Sequence, residues 1–163
     1  METKNKLVKT AKVCEVISKV LYLLAMVATV TFIVLAIALP LTDAISAITN
    51  GETAVIFATL ALSAFIYIGL FWNIQGVFKT IVAEGTPFTD RAGHYLKKIA
   101  IYVIVLSVAP ALIGSTVLRI VYPETEIVFP IDLGGIAVGA VVLFLGVYFN
   151  HGKELQKRDD ETL

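Results

Sequence analysis

Four runs of the 163-residue chain contain no Asp, Glu, Lys or Arg: Val20–Thr42, Thr53–Phe78, Ile99–Leu118 and Leu133–Gly152. An α-helix rises about 1.5 Å per residue, so about 20 residues cross a hydrocarbon core of roughly 30 Å. Each run reaches that length. Backbone amides in lipid must be satisfied within their own segment, which selects helices or closed barrels. A barrel strand alternates apolar and polar residues, and Val20-Leu21-Tyr22-Leu23-Leu24-Ala25-Met26-Val27 has no alternation. The runs therefore predict an all-α polytopic membrane protein. Four transmembrane helices are expected over about 14–41, 53–82, 90–121 and 132–151, as one membrane domain with a tail over 152–163.

Composition excludes the main alternatives. With 58% hydrophobic and 16% charged residues, the chain is too apolar for disorder or for one small soluble core. A single cysteine excludes a disulfide scaffold. Thirteen basic residues balance thirteen acidic ones, which argues against direct nucleic-acid binding. The basic start and the triplet Ala36-Ile37-Ala38 resemble a cleaved signal, but the first apolar run exceeds a signal's apolar region of about 7–15 residues. It is expected to stay as a span.

Basic residues give the orientation. Lys4, Lys6, Lys9, Lys12 and Lys19 precede or open the first helix; Lys79, Arg91, Lys97 and Lys98 flank the second loop; Lys153, Lys157 and Arg158 lie in the tail. Arg119 alone falls on the other side. Both termini are therefore expected in the cytoplasm. Short loops make the helices antiparallel neighbours in a bundle. Asn50-Gly51 is a turn signal in the first outer loop, with a short interfacial turn expected around 43–48. Thr125-Glu126-Ile127-Val128-Phe129, between Pro123 and Pro130, reads as extended. The inner loop is the sharpest break: Gly85 permits a positive φ, Pro87 stops the helix, and Thr89 caps the next one with Asp90 in its first turn.

Few residues in or near the spans carry chemistry. Gly135 and Gly139 form a G-x-x-x-G pair with Gly146 on nearly the same face, expected to pack on a helix of the same chain rather than to dimerise. Ser107, Ala111, Gly114 and Ser115 form a comparable stripe on the third helix, which Pro110 should kink. Arg119 and Asp132 end and open consecutive helices at similar expected depth, so an ion pair is the expectation, with Asp132 also capping its own helix two residues after Pro130 and a ligand-binding or gating role as the alternative. Asn73 and Gln75, beside Trp72, read as an interfacial belt. No acid, base or amide is expected at the centre of a span, which argues against an autonomous pump.

Soluble-type catalytic motifs are missing: no GxSxG, HExxH, P-loop or GxGxxG occurs. His94 and His151 lack metal-ligand spacing, so no metal and no cofactor are expected. Cys14 is expected to be a reduced, inert thiol at the start of the first helix, with palmitoylation as an unspecific alternative. The basic arm reads as a lipid anchor, with partner binding as the alternative.

Gly85-Thr86-Pro87-Phe88-Thr89 with His94-Tyr95-Leu96-Lys97-Lys98-Ile99-Ala100 resembles the inner loop of a prokaryotic membrane family known as domain of unknown function 2975. Asp132-Leu133-Gly134 and the tail Gly152-Lys153-Glu154-Leu155-Gln156 with Asp160-Glu161-Thr162-Leu163 resemble that family's last helix and tail. Lys157 and Arg158 depart from the family's acidic pattern after the Leu-Gln pair. The resemblance implies four transmembrane helices, a prokaryotic cell membrane, no established enzyme activity and, through gene neighbours, a helix-turn-helix transcription regulator as cytoplasmic partner. The expected function is regulatory or scaffolding and not enzymatic, with Gly85, Pro87, Phe88, Thr89, Leu155 and Gln156 as the partner surface. The alternative is a small transporter or ligand-binding bundle, oligomeric in form, and the lipid bilayer surrounds either.

Overall fold

The computed structural model describes residues 2–41 and 47–161, with side chains over 5–41 and 51–149. It is built of α-helices: α1 (Glu2–Ala38), a single 3-10 turn (Leu39–Leu41), α2 (Ala47–Glu84), α3 (Asp90–Val121) and α4 (Leu133–Glu161). No strand occurs among the described residues. Three helical segments, Asn5–Leu41, Gly51–Glu84 and Asp90–Val121, are long and apolar enough to cross a membrane. The apolar part of α4, Leu133–Phe149, is shorter.

Helix boundaries follow local chemistry, with three departures from the sequence reading. No Gly or Pro interrupts Glu2–Leu39, so the lysine-rich arm is helical and α1 begins well before position 14. Cys14 accordingly lies within α1, half-buried, and not at its start. Pro40 disfavours helix in the residue before it, and α1 stops at Ala38. Asn50-Gly51, expected to turn, lies inside α2. Gly51 packs against the Tyr122 ring and hydroxyl, so a long-range contact uses the glycine that looked like a turn. The turn expected around 43–48 falls largely outside the described residues. The tail expected over 152–163 is helical through Glu161.

Packing runs in chain order. The ring pairs Tyr22–Trp72 and Phe32–Phe57 set α1 antiparallel to α2. Gly69 and Gly76 of α2 receive the rings of Tyr102 and Tyr95 of α3. Gly135, Gly139 and Gly146 of α4 face Ser107, Ile104 and Leu96–Lys97 of α3. Among the described residues only consecutive helices approach closely, so the bundle is open between α1 and α4. The N-terminal end of α1, the α2–α3 turn and the C-terminal end of α4 therefore share one end of the molecule.

Buried residues concentrate where α3 is sandwiched. Leu70, Val77 and Ile99 form the core, packed by Ile74, Leu96 and Val142. Leu118 is fully buried. The contact of α1 with α2 buries small residues, Ala11, Ser18, Ala25 and Thr29. Val16, Ile17, Val20, Leu23, Leu24 and Val27 remain exposed, as suits a helix that faces lipid on most sides.

A Cβ on Gly139 would lie 2.5 Å from Ile104 Cγ1 and 3.3 Å from the Ala100 carbonyl oxygen. On Gly134 it would meet only the Asp132 carboxylate, at 3.3 Å. Replacing Gly139 by Leu should destabilise the fold by about 1–3 kcal/mol, because neither backbone can retreat without losing the helix contact. Thermal unfolding in detergent should show a clear drop for Gly139→Leu against Gly134→Leu; equal midpoints would mean α4 does not depend on that close approach.

Candidate functional site

Two places combine constrained backbone with polar groups. The first closes the end where α2 turns into α3. Gly85 N–H donates to the Ile81 carbonyl at 2.9 Å, and its φ of 67° is the only positive φ among the described residues. That conformation favours glycine. Thr89 takes extended angles, φ −130° and ψ 152°, and its Oγ1 accepts the Ala92 N–H at 3.1 Å as the α3 N-cap. Thr89 N–H donates to Pro87 O at 3.1 Å, and Phe88 N–H to Thr86 Oγ1 at 3.3 Å. Nearly every amide of the turn is thus held.

Phe88, 41% exposed, sets its ring 5.1 Å from that of Phe149 on α4. This contact joins the turn to α4 at the point where its apolar stretch ends. From there α4 continues to Glu161, about 18 Å of further helix at the standard rise. Leu155 and Gln156 lie on this extension; their side chains are outside those described. A crevice of about 440 Å³, lined by Glu84, Thr86, Phe88, Thr89, Asp90 and Arg91, opens beside the turn.

The second place is the descent from α3 into α4. Past Tyr122 the chain folds back along α3. Phe129 N–H donates to Ser115 Oγ at 3.0 Å, and the Phe129 ring packs on Gly114 near Thr59. Asp132 N–H donates to the Ser107 carbonyl at 3.2 Å. Asp132 Oδ1 then accepts the Gly135 N–H at 2.9 Å and caps α4. The segment expected to be extended is indeed non-helical, but it pairs with no strand.

This descent separates two residues that the sequence paired. Ser107 lies twelve residues before Arg119 on α3, about 18 Å along the helix. Asp132 is at the level of Ser107, so Arg119 and Asp132 do not meet. The expectation of similar depth assumed that α4 starts where α3 ends. Docking of Phe129 on Gly114 draws the chain inward first. Ser107 is also near the middle of the uncharged run Ile99–Leu118, so Asp132 stands at mid-run, exposed.

Arg119 instead borders an open crevice of about 260 Å³ with Leu112, Ser115, Thr116, Val128 and Phe129. Asn73 and Gln75, read as an interfacial belt, are both buried. The Asn73 side-chain amide donates to Gly69 O at 2.7 Å, whereas Gln75 Nε2 has no partner. Sequence reasoning names Tyr95 only within the loop motif and passes over Tyr102. Their seven-residue spacing matches that of Gly69 and Gly76, a signal readable in the sequence. Among the described residues no cluster of His, Cys, Asp or Glu is arranged to hold a metal ion. His94 is exposed beside Tyr95, and His151 lies outside the described side chains.

Among known proteins, no family model, no curated protein and no solved structure matches the chain.

Removing the Asp132 carboxylate should cost about 1 kcal/mol through the lost cap. Arg119→Ala should add to Asp132→Ala independently, within about 0.5 kcal/mol, because the two groups are too far apart to couple. A double-mutant cycle of unfolding in detergent measures this; coupling well beyond that margin would bring the two side chains together after all.

Proposed function

We propose that the chain is a non-catalytic integral membrane protein that acts through a cytoplasmic protein partner, docked on the Gly85–Thr89 turn and the α4 extension. The observation that carries this reading is the continuation of α4 to Glu161, with the rigid turn braced against its base by Phe88 and Phe149. A bundle needing only to close its inner end has no use for three further helical turns. A fixed turn beside a projecting helix gives a partner a shaped surface at low ordering cost. The asymmetry of Lys and Arg puts this end in the cytoplasm, with both termini there. The resemblance of the same turn and tail to the family of domain of unknown function 2975 points to a prokaryotic cell membrane and a helix-turn-helix regulator as partner.

Leu155→Ser and Phe88→Ala, tested separately, bear on the docking surface. Both variants should insert and fold, and Leu155→Ser should abolish co-purification of the regulator in mild detergent. Phe88→Ala should weaken it, since the turn loses its brace on α4. Full retention of the partner by both variants, or unfolding of both, would make the surface structural and sink the reading.

A second reading, a small transporter or ligand-binding bundle of oligomeric form, draws on Asp132. A carboxylate at mid-depth is costly in hydrocarbon, and such groups face protein or water. Irregular backbone at that depth carries the same requirement. In a Cys14→Ser background, Asp132→Cys should react with a membrane-impermeant thiol reagent if water reaches it. Complete protection would mean a dry site and remove this reading.

A further inference from the structure

We infer that the crevice between α2 and α3 lined by Trp72, Asn73, Tyr95, Lys98, Ile101 and Tyr102 is a binding site for the phosphate headgroup of an anionic phospholipid. Its volume is about 460 Å³, many times the roughly 30 Å³ that one water occupies. The two tyrosines frame it. Their rings pack directly on Gly69 and Gly76, whose missing side chains leave the space that the rings fill. Lys98 stands between them on the same face of α3, at three and four residues' spacing. Its ammonium is exposed, and no carboxylate among the described residues pairs with it.

The fourth polar group is Asn73, 6% exposed yet lining the crevice. One of its N–H groups is held by the Gly69 carbonyl at 2.7 Å. Its second N–H and its carbonyl oxygen are left for an occupant. One ammonium, two phenolic hydroxyls and an amide suit a phosphate with adjacent hydroxyls, the chemistry of phosphatidylglycerol. The lateral walls say that this phosphate belongs to a lipid. Trp72 and Ile101, 58% and 57% exposed, flank the polar groups with apolar surface continuous with the membrane-facing helices. Lys98 also marks the end of the uncharged run of α3, so the crevice opens at headgroup level.

Tyr95 meets Gly76 through ring carbons, so Tyr95→Phe keeps that contact and removes only the donor, whereas the Tyr102 hydroxyl also packs on Gly69. Purified protein in mild detergent is incubated with phosphatidylglycerol or phosphatidylcholine, and retained lipid is read by native mass spectrometry. One phosphatidylglycerol should be retained in about tenfold preference, as a charge-assisted hydrogen bond provides. Lys98→Gln should abolish the preference, and Tyr95→Phe should lower retention severalfold with thermal stability unchanged. Lys79→Gln, which removes an exposed cation of α2 outside the crevice, should change nothing. Equal retention of the two lipids, full retention by Lys98→Gln and Tyr95→Phe, or an equal loss in Lys79→Gln would overturn the site. Displacement of the lipid by inorganic phosphate alone, at the concentration at which phosphatidylglycerol saturates, would overturn the assignment to lipid.

Discussion

Helices in hydrocarbon gain nothing from hiding apolar surface against each other, because lipid tails are as apolar as leucine. Close contact of backbones and fitted side chains has to hold them together. The chain meets this constraint with glycines set opposite rings or backbone. Gly69 and Gly76 accept two tyrosines, Gly114 accepts Phe129, and Gly139 brings α4 onto the Ala100 carbonyl. The rest of the arrangement depends on these approaches. They place α3 at the centre, fix the walls of the tyrosine-framed crevice, and pull the descending segment against α3. The large aliphatic residues of α1 do no comparable packing and stay on the surface.

Polar groups follow a second rule of the same solvent: satisfy hydrogen bonds locally. Ser18, Thr29, Thr59, Ser63, Thr80 and Ser107 each donate to the carbonyl four residues earlier, at 2.8–3.0 Å. These hydroxyls are therefore neutral in the packing, and a stripe such as Ser107-Ala111-Gly114-Ser115 is mainly a smooth track. Ser115 is the informative exception, because its oxygen accepts the Phe129 amide and so ties down a segment that has no ladder of its own. Exposed backbone and the Asp132 carboxylate meet at this level, and the two functional readings diverge over whether water or protein surrounds them.

Much of the helical architecture was legible because charge placement and length follow directly from the cost of ions in lipid. The Thr89 cap and the Gly85 turn were legible for a local reason: their geometry is set by residues within five positions of each other. What the sequence hid was long-range. Asn50-Gly51 has turn chemistry, yet Tyr122 claims the glycine. Arg119 and Asp132 look level when counted along the chain, yet Phe129 seats on Gly114 and the start of α4 falls level with Ser107, about 18 Å along α3 from Arg119. Asn73 and Gln75 look interfacial from their distance to Lys79, yet they turn inward and are buried. In the first two cases the deciding partner is 71 and 15 residues away, and its pull leaves no periodic trace. The matched spacing of Gly69–Gly76 and Tyr95–Tyr102 is the counterexample, a tertiary contact written into two seven-residue intervals.

The chain-order packing of the helices also bears on assembly. Every interhelical contact among the described residues joins neighbours in sequence, so each becomes available as soon as the next helix leaves the ribosome. Contacts that span short loops cost little closure entropy and form early. α1 and α2 can pair before α3 is made, and α3 can seat its tyrosines before the descending segment exists. The docking of Phe129 and the glycine face of α4 follow. The protein is thus built like a fence raised panel by panel.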